Sequence, residues 1–161
     1  MRAIVMVVAA VVAVAACVRH EPTGVTLLGV GQQQDSVEGT GTETELMQMK
    51  ARWAGVRDGR DYSFVTQYYC FCPGGFATLV RVRVRGTSVA SVREVESGAS
   101  RAVGDYYTIE ELYDRAIAER ARDGRVRVSY SATTGIPIWL TIGNPEYDAG
   151  VTYRVQDVVL E

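Results

Sequence analysis

Two cysteines one residue apart, Cys70-Phe71-Cys72, followed by Pro73-Gly74-Gly75, form the stretch of this 161-residue chain best suited to chemistry. In an extended strand, residues two apart lie about 6.5–7 Å between Cα atoms, at the edge of what a disulfide tolerates. The Pro-Gly-Gly that follows can bend the chain and bring the sulfurs together. A ring so small restricts the unfolded chain by only about 1.6 kcal/mol, and strain subtracts from that, so the expected Cys70–Cys72 bridge is weak and reducible. Two other chemistries compete. The pair could stay reduced and hold a soft ion such as Cu(I), or it could be redox-active. An oxidising compartment favours the bridge.

Little else in the inventory supports catalysis. His20 is the only histidine and lies ahead of the folded region, which leaves a Ser-His-Asp or Cys-His machine without its base. Zinc would have to be held by Cys70, Cys72 and carboxylates, a poor match to structural or catalytic zinc sites. Glu146 and Asp148 sit in a Pro/Gly loop with no apolar lining to shift a carboxyl pKa, so they read as turn and solubility residues. No Gly-rich phosphate loop precedes a helix. The expectation is a chain that is not an enzyme, with no cofactor and no metal.

The N-terminus says where such a chain would work. Arg2, an Ala/Val/Ile/Met run and the small residues Ala15-Ala16 make a secretory signal peptide over 1–16. The run is too short for a membrane span, which needs about 20 apolar residues. Val14-Ala15-Ala16-Cys17 resembles the bacterial lipobox, in which the cysteine becomes the acylated, palmitate-bearing mature N-terminus. Stable anchoring takes two or more acyl chains, so a protein modified in this way at Cys17 stays on its membrane. Val18 is not the Asp that marks inner-membrane retention, which points to the outer membrane of a Gram-negative envelope, facing the periplasm. Without Arg2 the mature chain has 16 basic residues against 19 acidic, a net of −3 with no basic footprint for nucleic acid. Residues 17–44 read as the lipidated cysteine and a flexible tether reaching about 25–30 Å, and 45–161 as one domain.

Two capping signals organise that domain. Thr42 with Glu45 and Thr108 with Glu111 fit capping boxes. Behind them, Leu46, Met49, Trp53 and Val56, then Ile109, Leu112, Tyr113, Ala116 and Ile117, fall at helical spacing. Asp58-Gly59 and Asp123-Gly124 stop the two helices. Strand-like runs follow each: 62–70, 78–85 and 89–96, then 125–131, 136–142 and 151–159. The pattern predicts an α+β fold of two similar helix-strand-strand-strand units, about 45–100 and 105–161, in an antiparallel sheet with both helices on one face. Alternation leaves Arg81, Arg83, Arg127, Trp139 and Thr141, with Tyr69 and Arg154, on the outer face. Exposed Trp, Tyr and Arg are the usual hot-spot types, so this is the expected binding surface, unless it is only a solvated face.

The order of short pieces along the domain resembles the family of domains of unknown function numbered 6174, found in uncharacterised bacterial lipoproteins. Those pieces are Trp53, Asp61-Tyr62-Ser63-Phe64, Cys70-x-Cys72-Pro73, the strand at 80–84 and Tyr107-Thr108-Ile109-Glu110-Glu111-Leu112-Tyr113. Val126-Arg127-Val128-Ser129-Tyr130, Gly135-Ile136-Pro137, Asp148 and Tyr153-Arg154-Val155 complete them. Ser131 and Gly143-Asn144 stand where the family often carries Asp. The resemblance implies fold and location and brings no activity with it. The function expected is a membrane-anchored envelope lipoprotein, a binding or structural module whose partners are the membrane, through its lipid, and another envelope protein. The alternative is a thiol-based redox or Cu(I)-handling protein.

Overall fold

Thr42 and Thr108 both begin helices, but by different means. The computed structural model describes residues 25–28, 35–70, 78–143 and 150–161. Helix α2, Ile109–Arg120, opens on a complete capping box: Thr108 Oγ1 accepts from the Glu111 N–H at 3.1 Å, and the Glu111 carboxylate accepts from the Thr108 N–H at 2.7 Å. Helix α1, Glu43–Arg57, makes only half of its expected box. Thr42 Oγ1 accepts from the Glu45 N–H, while the Glu45 carboxylate turns to Thr40 Oγ1, the Gly41 N–H and the Tyr130 hydroxyl at 2.7, 3.0 and 2.8 Å. The diverted carboxylate ties the helix start to a strand 85 residues away. Asp58, in the left-handed region at φ 50, ends α1.

The strands are β1 Val25–Leu28, β2 Ser36–Gly39, β3 Tyr62–Cys70, β4 Val80–Arg85, β5 Ser88–Glu94, β6 Ser100–Arg101, β7 Val126–Ser131, β8 Pro137–Ile142 and β9 Val151–Leu160. They overturn the expected pair of helix-strand-strand-strand units. Nine described strands rather than six form one antiparallel sheet in the order β2-β7-β8-β9-β3-β4-β5-β6, with β1 beside β9. β2 precedes α1 in the chain yet pairs with β7, which follows α2. The stretch expected as tether therefore supplies two strands. β9, the last strand, lies at the centre: β3 runs along one edge, while β8 and then β1 share the other. Alternation decides which face a residue occupies but not which strand lies beside it.

β9 also departs from strict alternation. Asp157 takes φ 51 and the register with β3 slips there, an extra residue in the strand. Tyr153 and Val155 before the bulge, and Val158 and Leu160 after it, are all buried. Without it, Asp157 would follow Val155 inward and Val158 would turn out.

Trp53 and Leu46 from α1, Ile109, Leu112 and Tyr113 from α2, and Tyr62, Phe64, Val82 and Leu140 from the sheet belong to one buried cluster. Lys50 and Asp114 pair across the two helices. At Gly135, φ 71, a Cβ would lie 2.5 Å from the Met49 carbonyl of α1, so only glycine lets the loop before β8 approach the helix this closely. Tyr113 Oη donates to the Gly135 carbonyl at 2.6 Å and fixes α2 to the same loop.

Candidate functional site

The expected binding residues share the sheet face that points away from the core, but they do not form one cluster. Pairing of β8 with β9 puts Trp139 opposite Arg154, and pairing of β9 with β3 puts Thr152 opposite Tyr69. The Arg154 guanidinium lies 5.2 Å from the Trp139 ring centroid, and Tyr69 stacks on the same indole with centroids 6.4 Å apart. Tyr69 Oη donates to Gln67 Oε1 at 2.6 Å, and the Thr141 and Thr152 hydroxyls are 3.0 Å apart. Arg127 lies one strand out, opposite Thr141 and exposed. This half carries a half-buried aromatic centre with two arginines.

Arg81 and Arg83 lie elsewhere. β4 is three strand spacings from β8, about 14 Å. Arg83 pairs with Glu161, its Nε donating at 3.1 Å. Arg81 faces Arg93 directly across the β4–β5 pair, both exposed, an arrangement of like charges that weakens a sheet. Cys70 ends β3 opposite Val151 and is half-buried. Cys17, His20, Cys72, Glu146 and Asp148 lie outside the described residues.

One part-buried carboxylate attracts notice. Glu110 in the first turn of α2 accepts from Trp53 Nε1, Arg57 Nη1 and Tyr62 Oη at 2.9, 2.8 and 2.7 Å. Burial pushes its carboxyl up, but the hydrogen bonds from Tyr62 and Arg57 outweigh that and hold it below the ordinary range. Burial and the neighbouring Glu110 charge push the Tyr62 phenol far up, so it stays a donor. These three donors hold the carboxylate between α1, α2 and β3. Every buried side-chain nitrogen or oxygen among the described residues has a partner. Among the same residues, no group of three or more His, Cys, Asp or Glu is placed to hold a metal.

A recess on the inner face had no counterpart among the expected sites. Phe64, Thr66 and Tyr68 of β3, Tyr153 of β9, Asp105, Tyr106 and Tyr107 ahead of α2, and Leu112 enclose about 220 Å³ of empty space, its open mouth included. Tyr68 and Tyr153 sit directly opposite each other across β3 and β9. The rings of Tyr68 and Tyr106, Tyr68 and Tyr153, and Tyr107 and Tyr153 each lie 6.1 Å apart, at 69°, 45° and 86°. The Tyr106-Tyr107 doublet just before the Thr108 cap was the available signal. Its partners come from strands 38 residues before and 46 residues after it, beyond the reach of local pattern.

Residues 45–160 match the model of a family of unknown function, DUF6174. The chain belongs to DUF6174. The match begins inside α1, so β1 and β2 of this DUF6174 chain lie outside it. No curated protein and no solved structure matches the chain. Among its described residues no helix is long and apolar enough to cross a membrane.

Proposed function

We propose that this chain is a lipid-anchored module of a bacterial envelope, tethered through Cys17, which binds or braces another envelope component and catalyses no reaction. The observation that carries the reading is Cys17 directly after Ala15-Ala16, at the end of a short apolar run behind Arg2. Anchoring by acyl chains suits a chain with no long apolar helix among its described residues. The outer sheet face supports the binding half of the reading. Trp139 presents a half-buried indole already flanked by Tyr69 and Arg154, the residue types that dominate protein interfaces, with Arg127 beside it.

β1 begins at Val25, leaving seven residues between Cys17 and the sheet. Fully extended, they reach about 23–25 Å. A domain held so closely works beside its membrane. In a bacterial host fed labelled palmitate, the full chain is expected to incorporate label and partition with membranes. Cys17→Ala is expected to stay unlabelled and retain residues 1–16. Unchanged processing of that variant, or a wild-type chain without label, would overturn the anchored reading.

A further inference from the structure

We propose that the tyrosine recess between β3, β9 and the start of α2 is a binding site for a quaternary or alkylated ammonium group. Four phenol rings line it, and none of the three measured ring contacts is a stack. The rings meet edge to face or at a tilt and are not stacked flat on one another. An aromatic face attracts a cation through its quadrupole, and an alkylated ammonium, weakly hydrated, loses little when it leaves water. Asp105, exposed at the end of the 3-10 turn Val103–Asp105, places a carboxylate on the lining.

The cluster already has one cation against it: the Arg115 guanidinium lies 4.4 Å from the Tyr107 centroid, its Nη1 donating to the Tyr107 hydroxyl at 3.1 Å. The other nearby arginine, Arg101, is paired with Glu94. Burial pushes the Tyr68, Tyr106 and Tyr153 phenols up, so all three stay neutral near pH 7. The enclosed part of the recess has room for about one water, so the ammonium group sits in its open mouth against the rings.

The recess is independent of how the chain is anchored. β1 meets β9 at Leu160 and Val159, whereas Tyr68 and Tyr153 lie near the opposite end of β3 and β9, about 20 Å along the strands.

Titration of the full chain in detergent with choline, followed by the tyrosine ring resonances, tests the proposal. Its uncharged carbon isostere, 3,3-dimethyl-1-butanol, is the control. Choline is expected to bind with a Kd in the millimolar range, roughly tenfold tighter than the isostere, and to move the Tyr68, Tyr106 and Tyr153 resonances. Tyr68→Leu is expected to weaken it about three- to tenfold. Asp105→Asn, at an exposed position where the fold is not at stake, should weaken it about threefold. Equal binding of the isostere would make the recess merely apolar and overturn the proposal. Resonances that stay still up to about 50 mM choline would overturn it too.

Discussion

Glu110 shows how one side chain decides whether three elements stay together. It lies on α2 and accepts from Trp53 and Arg57 of α1 and from Tyr62 of β3, while Tyr62 Oη in turn accepts from the Ile109 N–H at 3.0 Å. Arg57 is 8% exposed, so its charge has little water to fall back on. Removing the carboxylate takes the counter-charge from that guanidinium, which keeps only the Arg60 and Gly86 carbonyls as acceptors, and leaves an indole N–H and a phenol O–H without their acceptor. Glu110→Ala is expected to destabilise the chain by roughly 3–5 kcal/mol, the usual cost of breaking one side of a buried ion pair. Glu110→Gln keeps an acceptor without the charge and should cost about half as much. Because the folded carboxyl is held below its ordinary value of 4.5, its contribution is complete above that pH and is lost as pH falls through the folded value. Denaturant unfolding from pH 7 to pH 3 checks both points. The wild-type chain should lose stability below about pH 4.5, and the Gln variant should show a flatter profile. Equal slopes would mean that other carboxylates carry the acid sensitivity.

At the scale of elements, β9 separates what a sequence displays from what only packing decides. Both helix starts, both stops and the inward row Ile136, Ile138, Leu140 and Ile142 were legible, because capping and period two are local signals. The outer-face positions of Trp139 and Arg83 followed from the same alternation. The sheet order was not legible, since many strand orders satisfy the same inward and outward pattern. Nor was β2, four mostly exposed residues with no apolar rhythm, held by pairing and by contacts to distant side chains. The Asp157 bulge was hidden for a third reason: Val155, Asp157 and Val159 read as an unbroken alternation, and only Val158 and Leu160 packing inward reveal the extra residue. Deleting Asp157 removes only the extra residue and leaves Val158 and Leu160 in phase with Val155, so the variant should keep its inward row and unfold cooperatively. Asp157→Gly, which suits the left-handed backbone, should stay within about 0.5 kcal/mol of wild type, while Asp157→Val should cost about 1–2 kcal/mol. Thermal unfolding of the three variants measures this. A deletion variant that no longer unfolds cooperatively would show that the sheet needs the bulge itself and not only the inward row.

For the molecule as a whole, the question is where the folded unit begins. The DUF6174 match begins at residue 45, yet the sheet does not. β2 pairs with β7 from Ser36↔Ser131 to Gly39↔Val128, and the Asp35 carboxylate accepts from Ser131 Oγ and the Thr133 N–H at 2.6 and 3.3 Å. Thr40 and Gly41 hold the Glu45 carboxylate that also receives Tyr130. A chain cut at 45 loses β2 and the bonds of Asp35, Thr40 and Gly41, though it keeps Glu45 and Tyr130, and bares the β7 edge, whose unpaired backbone groups can template another chain. Compared with residues 35–161, residues 45–161 should be less stable by about 2–4 kcal/mol, a melting temperature lower by roughly 5–15 °C, and should associate with rising concentration. Acid should narrow that gap. The Ser131 hydrogen bond chiefly holds the Asp35 carboxyl below its ordinary 3.8. For Glu45, burial raises the carboxyl but the bonds from Thr40 and Tyr130 prevail, leaving it below 4.5. Both groups therefore stabilise the longer chain above those values and release it as pH falls through the folded ones. Melting both chains at pH 7 and pH 3 tests this. Equal melting temperatures at pH 7 would make β2 an ornament of the sheet, whereas a gap that closes in acid would make it part of the folding unit.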